Sequence, residues 1–296
     1  MTSLEGVRFA PSPTGNFHLG NLRTGWISWR FARHFSEPWV VRFEDIDRPR
    51  VIPGAMDAQL RDLALLSLVP DQILIQSDFH SRHWGLFAKA AAIGKVYPCF
   101  CSRKEVQLAL AEIESASAPH GRAPTYNGHC RPRVATPISD LRISAGWRFR
   151  MDDESGVSDF LVARTFADGK PFIPSYSWAC AIDDYDGGYR LLVRASDLVS
   201  VAAPQRAIQS WLNGLSAGKN VALPALFYTS LVTQNDGHRL EKRTPGVTLS
   251  ELLSSGLTPG KIIERFERSF DSTLLSRCGE DYGEPRAEIS LRELGF

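Results

Sequence analysis

Apolar positions follow two different spacings along this chain, and the switches between them outline a fold. Leu22, Trp26 and Trp29 recur at helical spacing after His18, and Ile27, Phe31 and Phe35 make a second apolar row on the same segment. Two apolar faces predict a buried helix over 18–35. Short apolar runs at "VRF" (Val7 to Phe9), "PWVVRFED" (Pro38 to Asp45) and "ILIQS" read as strands, and helices are predicted over 55–66 and 81–93. Strands alternating with helices in this way predict an α/β architecture, a parallel sheet covered on both faces.

The alternation stops between Cys99 and Cys130. One short helix and the loop "SASAPHGRAPTYNGH" stand there, too polar and too rich in glycine and proline for the sheet, so the segment reads as an insertion. Strand-like segments return at "WRFRM" and "DFLVART" and, after a turn expected at "DDYDGGY", at "RLLVRASDL". A helix over 204–215 and the strand "LFYTSLV" follow. Beyond "TQNDGHRLEKRTPG", helices over 249–253 and 259–270 predict a small helical unit at the C-terminal end. The expected segments are 1–98 and 131–233 for the two halves of the main domain, 99–130 for the insertion and 234–296 for the last unit. No internal repeat is present.

Composition narrows this picture only a little. Among 296 residues, 34 Lys and Arg face 33 Asp and Glu, so a nucleic-acid partner must be held by a local patch and not by overall charge. No apolar run approaches the roughly 18 residues of a membrane span and no leader pattern opens the chain, so no membrane partner and a cytoplasmic location are expected. Five cysteines is an odd number, and Cys99, Cys101 and Cys130 lie close together. In a reducing compartment that clustering points to a metal before a disulfide.

Candidate chemistry begins at "RFAPSPTGNFHLGNLRTG", Arg8 to Gly25. A strand end, a turn fixed by Pro11 and Pro13 and loosened at Gly15, and then a helix N-terminus is a geometry that gathers backbone N–H groups and the positive end of the helix dipole. Such a point binds phosphate, and His18 and Asn21, about one helical turn apart, are expected to face it. "FHLGN" with "RFAPSPTG" resembles the HIGH signature of class I aminoacyl-tRNA synthetases in the form used by glutamyl-tRNA synthetases. "VRFEDIDRPR" (Val41 to Arg50) resembles that family's second N-terminal signature, and "LEKR" resembles its KMSKS loop.

The resemblance implies a Rossmann-type catalytic domain. It places Arg8, Ala10, Ser12 and Glu44 around the amino acid, with the carboxylate near the substrate ammonium and arginine near its acid groups. "YSWACAIDD" and "RLLVRASDL" resemble the segments that complete the glutamate pocket, which adds Tyr176 and Arg194. His18, Gly20, Asn21 and Lys242 fall at ATP-binding positions, and His18 and Lys242 carry the catalytic roles. Ala195 stands where the family usually has glycine, "VAAPQ" lacks the usual Ser or Thr, and Arg239 and Glu241 alter the last signature.

Cys99-Phe-Cys101 and Cys130 supply three thiolates, and tetrahedral zinc takes four donors. The residues alone leave the fourth open among Tyr126, His129 and His120. "YNGHCR" and the Cys-x-Cys pair resemble the zinc site of truncated relatives, the glutamyl-queuosine tRNA(Asp) synthetases, and this implies Tyr126 and a structural zinc. Those relatives lack the anticodon-binding domains that follow the catalytic domain in full-length enzymes, and this chain ends soon after "LEKR". The implied activity is ATP- and Mg-dependent activation of glutamate, followed by transfer to queuosine in tRNA(Asp) by a monomer. Two alternatives are an enzyme of the same adenylating chemistry with another acceptor, and a catalytically weakened module that binds nucleotide or tRNA.

Overall fold

The computed structural model describes residues 5–102, 104–106, 126, 128–131, 141–152, 157–168, 170–215, 221–238, 240, 247–277 and 279–296. The chain folds into two compact units. The first holds Met1–Ser77, Asp184–Val199 and Gly218–Phe296, and the second Asp78–Asp183 and Ser200–Ala217.

The first unit is built on strands that begin as the apolar runs require: β1 (Val7–Phe9), β2 (Trp39–Phe43) and β3 (Gln72–Ile75). Helices α1 (Leu19–Phe35) and α2 (Ala55–Leu65) connect them. Beyond the second unit's own strands the sheet resumes with β8 (Leu191–Ala195) and β9 (Ala225–Thr229) and is extended at its edge by β11 (Tyr282–Gly283). The order is β11-β9-β8-β1-β2-β3 and every pairing is parallel. Chain order reverses beside β1, and open parallel sheets bind ligands at the carboxyl ends of the strands flanking such a point.

Helix α1 buries both of its apolar rows. Trp26 lies 5.8 Å from the rings of Phe266 and Phe270, and Phe31 lies 4.8 Å from Phe227. The C-terminal helices α6 (Leu249–Ser254) and α7 (Pro259–Arg268) thus share the main core instead of forming a core of their own. This segment also supplies strands: β12 (Glu288–Ser290) pairs in parallel with β10 (Leu231–Thr233). The run "LFYTSLV" is accordingly split at Ser230 between β9 and β10, which belong to different sheets.

In the second unit, β4 (Val96–Cys99), β5 (Ala145–Phe149), β6 (Phe160–Thr165) and β7 (Ile173–Pro174) form an antiparallel sheet. "WRFRM" and "DFLVART" therefore belong to a second sheet, and the parallel sheet does not include them. Helices α3 (His80–Ala92) and α5 (Ala202–Leu215) belong to the same unit, where Trp178 meets Trp211 at 5.8 Å.

One expectation is corrected outright. The turn expected at "DDYDGGY" is the last part of helix α4 (Tyr176–Gly187), and Gly188, at φ +61°, takes the left-handed conformation that ends it. Paired aspartates and glycines resemble a turn locally, yet Asp183 and Asp184 are buried and held by partners far away in sequence. Among the described residues, no helix is long and apolar enough to cross a membrane.

Candidate active site and metal cluster

Three strands of the parallel sheet each carry a Val-Arg pair: Val7-Arg8, Val41-Arg42 and Val193-Arg194. In the observed register Arg8 is level with Val40 of β2 and Leu192 of β8, so Arg42 and Arg194 each stand two residues further along. An even offset keeps all three side chains on one face of the sheet. Helix α4 brings Asp184 to that face. Arg8 donates to both Asp184 oxygens, Nε at 3.1 Å and Nη2 at 2.7 Å, and Arg42 Nη1 donates to Oδ1 at 2.7 Å. Arg194 Nη2 lies 3.6 Å from Oδ2, and the second amino group of Arg42 reaches Glu44 Oε1 at 3.2 Å.

All five side chains are buried. Burial pushes the Asp184 carboxyl up, but the guanidiniums of Arg42, Arg8 and Arg194 outweigh it and hold it down at about 2. Three cations and two carboxylates meet in this cluster. A buried ion cluster is a weak source of stability, because desolvating the charges costs about as much as their attraction returns.

The loop after β1 closes over the same end of the sheet. Pro11 O accepts from Glu44 N at 2.9 Å, and the buried Gln59 amide donates to Ser12 O at 3.2 Å and Gly15 O at 2.7 Å. Ala10 and Ser12 lie on this loop, Ser12 exposed. His18 is the N-cap of α1, and its Nδ1 accepts from the backbone N–H groups of Gly20 at 3.1 Å and Asn21 at 3.4 Å. Asn21 Oδ1 accepts in return from His18 N at 3.3 Å. This capping box revises the expectation that the first-turn N–H groups and the Asn21 side chain face an anion, since His18 itself occupies those two donors. With Nδ1 accepting, the neutral ring carries its proton on Nε2, which makes the outer edge of the imidazole a donor. A Cβ on Gly20 would sit 3.0 Å from His18 Cε1, so glycine is what lets the ring lie against the helix.

The far end of the chain returns to this point. Leu19 N donates to Val247 O at 2.8 Å, and His18 forms an antiparallel bridge with Thr248. Val247 and Thr248 thus lie beside the first signature, and Val247 is buried. Arg239, Glu241 and Lys242 lie outside the described residues. Tyr176 opens α4 within the second unit and is 39% exposed.

In the second unit, the Sγ atoms of Cys99, Cys101 and Cys130 all lie within 4.8 Å of one another. Tyr126 Oη is 3.4 Å from Cys99 Sγ and 3.8 Å from Cys101 Sγ, and Cys101 Sγ is 3.7 Å from Cys130 Sγ. A tetrahedral zinc with sulfur at about 2.3 Å and oxygen at about 2.0 Å has S···S edges of about 3.8 Å and S···O edges of about 3.5 Å. The cluster fits a zinc-binding site. His129 is not part of it, and His120 lies outside the described residues.

Surrounding groups orient these donors. Cys130 N donates to Tyr126 Oη at 2.9 Å, Arg148 Nε donates to Cys99 Sγ at 3.3 Å, and the Arg148 guanidinium lies 3.6 Å from the centre of the Tyr126 ring. Burial pushes Cys101 up to about 11. It also pushes Cys130 up, but hydrogen bonds from the Phe100 backbone and from Tyr126 outweigh it and bring that thiol down to about 7.

Comparison with known proteins places this geometry. The family model described as the catalytic domain of class I tRNA synthetases (E and Q) matches residues 6–268. The chain belongs to that family. It is 34% identical to a glutamyl-Q tRNA(Asp) synthetase of Nocardia farcinica, over 86% of this chain and 81% of that protein. A protein of the same name from Deinococcus radiodurans is 35% identical, over 86% and 85%. Among solved structures, a glutamate tRNA ligase from Elizabethkingia meningosepticum shares the fold at a TM-score of 0.68 and 21% identity, covering 98% of this chain and 64% of that one.

For a class I synthetase fold the parallel sheet and its switch point are the expected frame. Reading the sequence missed Arg42 and Asp184 as members of the cluster, although both lie within the quoted segments "VRFEDIDRPR" and "YSWACAIDD". An available signal was the arginine inside the apolar run "WVVRF", since an ionised residue in a buried strand must be paired. Gln59 and Arg148 carried no such mark.

Proposed function

We propose that this synthetase uses ATP to activate glutamate and then transfers the glutamyl group to queuosine in tRNA(Asp). The observation that carries the reading is the buried cluster of Arg8, Arg42 and Arg194 with Asp184 and Glu44 at the carboxyl ends of parallel strands. Zwitterionic glutamate carries two carboxylates and an ammonium, groups that guanidinium and carboxylate side chains pair with. Relatives named glutamyl-Q tRNA(Asp) synthetase, similar over most of both chains, support the choice of acceptor.

In this reading Arg8 and Arg194 hold the acid groups of glutamate through charge-assisted hydrogen bonds, and Glu44 faces its ammonium. Ala10 and Ser12 complete the pocket. A glutamate α-carboxylate oxygen attacks the α-phosphorus of ATP, and the bond to the β-phosphate oxygen breaks, giving glutamyl-adenylate and pyrophosphate. His18 donates from Nε2 to a phosphate oxygen as charge develops there, while Gly20 and Asn21 fix the turn that aims it. Lys242 neutralises the leaving pyrophosphate, with magnesium accompanying ATP. A cyclopentene hydroxyl of queuosine then attacks the acyl carbon, AMP leaves, and the hydroxyl proton is released. Cys99, Cys101, Tyr126 and Cys130 hold a zinc ion whose role is structural, because four protein donors leave it no open position. The setting is the cytoplasm, and the working form a monomer.

The test is ATP/pyrophosphate exchange with glutamate and no tRNA, followed by transfer of labelled glutamate to tRNA(Asp) carrying or lacking queuosine. Exchange and queuosine-dependent labelling are expected. Exchange without such labelling removes the acceptor, and absence of exchange removes the activity.

A further inference from the structure

We infer that Glu284 is a positioning residue for the His18 imidazole, acting through Arg23 and through the strand that follows Ser230. Its consequence for exchange rests on the activity proposed above. Arg23 lies on α1 beyond His18, and the Arg23 and Glu284 side chains are 1% and 6% exposed. The guanidinium meets the carboxylate edge to edge, Nη1 to Oε2 at 2.7 Å and Nη2 to Oε1 at 2.5 Å. Its Nε donates to Ser269 Oγ and its Nη2 also to Ser269 O, both at 3.0 Å. A planar bidentate pair of this kind fixes direction as well as distance. Glu284 Oε2 also accepts from Ser230 N at 2.7 Å, at the point where β9 gives way to β10.

One carboxylate therefore ties helix α1 to the start of β10, and β10 packs against the first turn of that helix. A Cβ placed on Gly20 would lie 3.0 Å from His18 Cε1 and 3.4 Å from Val232 Cβ, so the imidazole, Gly20 and β10 meet closely there. Further bonds hold Glu284 beside these strands: Glu284 N donates to Tyr228 O at 2.9 Å, Ser230 Oγ to Arg286 O at 2.7 Å and Leu231 N to Ala287 O at 2.7 Å. The buried Thr24 and Thr229 hydroxyls, 2.9 Å apart, add a second link between α1 and β9. Glu284 sets where β10 lies against α1, and β10 with Gly20 sets where the imidazole lies.

Two variants of the full chain test this. Glu284→Gln keeps an acceptor for Ser230 N but removes the charge opposite Arg23. Adding Arg23→Met removes both charges, so that no buried cation is left unpaired and the fold is kept. Each should slow glutamate-dependent ATP/pyrophosphate exchange at saturation at least about tenfold, with the KM values for glutamate and ATP within about twofold of wild type. In a His18→Ala background the same changes should cost less than about twofold, because no imidazole is left to position. Hydrogen exchange gives a readout that needs no turnover. The Gly20 and Asn21 amides, which donate to His18 Nδ1, should lose at least about tenfold of their protection in both variants, while the amides of β2 keep theirs in the double variant. A wild-type rate in the double variant, losses that add to that of His18→Ala, or unchanged protection at Gly20 and Asn21 overturns the inference. If neither variant folds, Val232→Ala probes the same contact from β10, with the same slow exchange and weakened amides expected; a wild-type rate with unchanged amides overturns the inference there. Wild-type chain that catalyses no exchange overturns the proposed activity alone, and the amides then decide the role of Glu284.

Discussion

The arginine cluster and the cysteine cluster are both buried gatherings of chemically active side chains, and they are completed in opposite ways. Arg8, Arg42, Asp184 and Arg194 come from positions up to 186 residues apart, placed by strands that pair in fixed register. Cations and carboxylates there already oppose each other, so the cluster stands formed. Cys99, Cys101, Tyr126 and Cys130 come from one short stretch, and in their ligating form all four donors are negative or neutral with Arg148 close by as a cation. A metal ion bound there would join the four donors directly. In the proposed reading, long-range pairing builds a pocket for a substrate that comes and goes, whereas local spacing builds a cage for an ion that stays.

The comparison breaks most sharply if the cysteine cluster holds no metal. Protein purified without added metal or chelator should carry about one zinc per chain, and Cys101→Ser or Cys130→Ser should reduce it to a small fraction. Structural zinc contributes on the order of 10 kcal/mol in small zinc domains, so the variants should also lose cooperative unfolding of the second unit. Metal analysis together with thiol labelling decides it, and three freely labelled thiols without zinc would remove the cage.

The next largest effect tests the other side. Arg8→Ala and Arg194→Ala should each raise the glutamate requirement of exchange by roughly ten to a hundredfold, the loss of about 1.5 to 3 kcal/mol from a charge-assisted hydrogen bond. The ATP requirement should move far less. Unchanged glutamate dependence in both variants means that these arginines do not hold the amino acid.

How much of this was legible before the structure follows from the same contrast. The Cys-x-Cys pair and the later Cys130 lie close in sequence, so their spacing alone announces a common purpose. Strands β1 and β2 and helix α1 were legible because long or dense apolar patterns fix their type. Asp184 was not, because an Asp-Asp-Tyr-Asp-Gly-Gly run reads as a turn until its partners on β1 and β2 are known, and those lie 176 and 142 residues away. Strands β11 and β12 are two and three residues long, too short to show any period. The capping of α1 by the imidazole of His18 was missed for a different reason: a histidine before a helix was read as facing a ligand, when one of its nitrogens faces the helix.

Acid should separate the two regions again. Asp184 is held at about 2 in the folded chain against 3.8 for an ordinary aspartate. A carboxyl with a depressed folded-state pKa stabilises the fold fully above its unfolded value and loses that contribution as pH falls toward the folded value. The window therefore runs from about pH 4 down to about pH 2, and the contribution lost is about 2 kcal/mol. Urea unfolding of wild type and Asp184→Asn across this range should show their stability difference narrowing by that amount. A difference that stays constant with pH would mean that the arginines do not hold the carboxylate ionised.

The smallest effect is the most local. In Gly20→Ala the new Cβ would lie 3.0 Å from His18 Cε1 and 3.1 Å from Nδ1, so the ring must shift by a few tenths of an ångström. The backbone of Gly20 is not left-handed, and alanine is the better helix former by up to about 1 kcal/mol, so overall stability should hold. What suffers is the aim of Nε2, because the hydrogen bond from Gly20 N to Nδ1 fixes the plane of the ring. We expect exchange to slow about tenfold, equivalent to about 1.4 kcal/mol of transition-state stabilisation, with the requirements for glutamate and ATP little changed. His18→Ala should slow it more. If Gly20→Ala matches wild type while His18→Ala is impaired, the ring reaches the phosphate without this close packing. If His18→Ala matches wild type as well, the imidazole is only a helix cap, and the charge stabilisation assigned to it belongs elsewhere in the site.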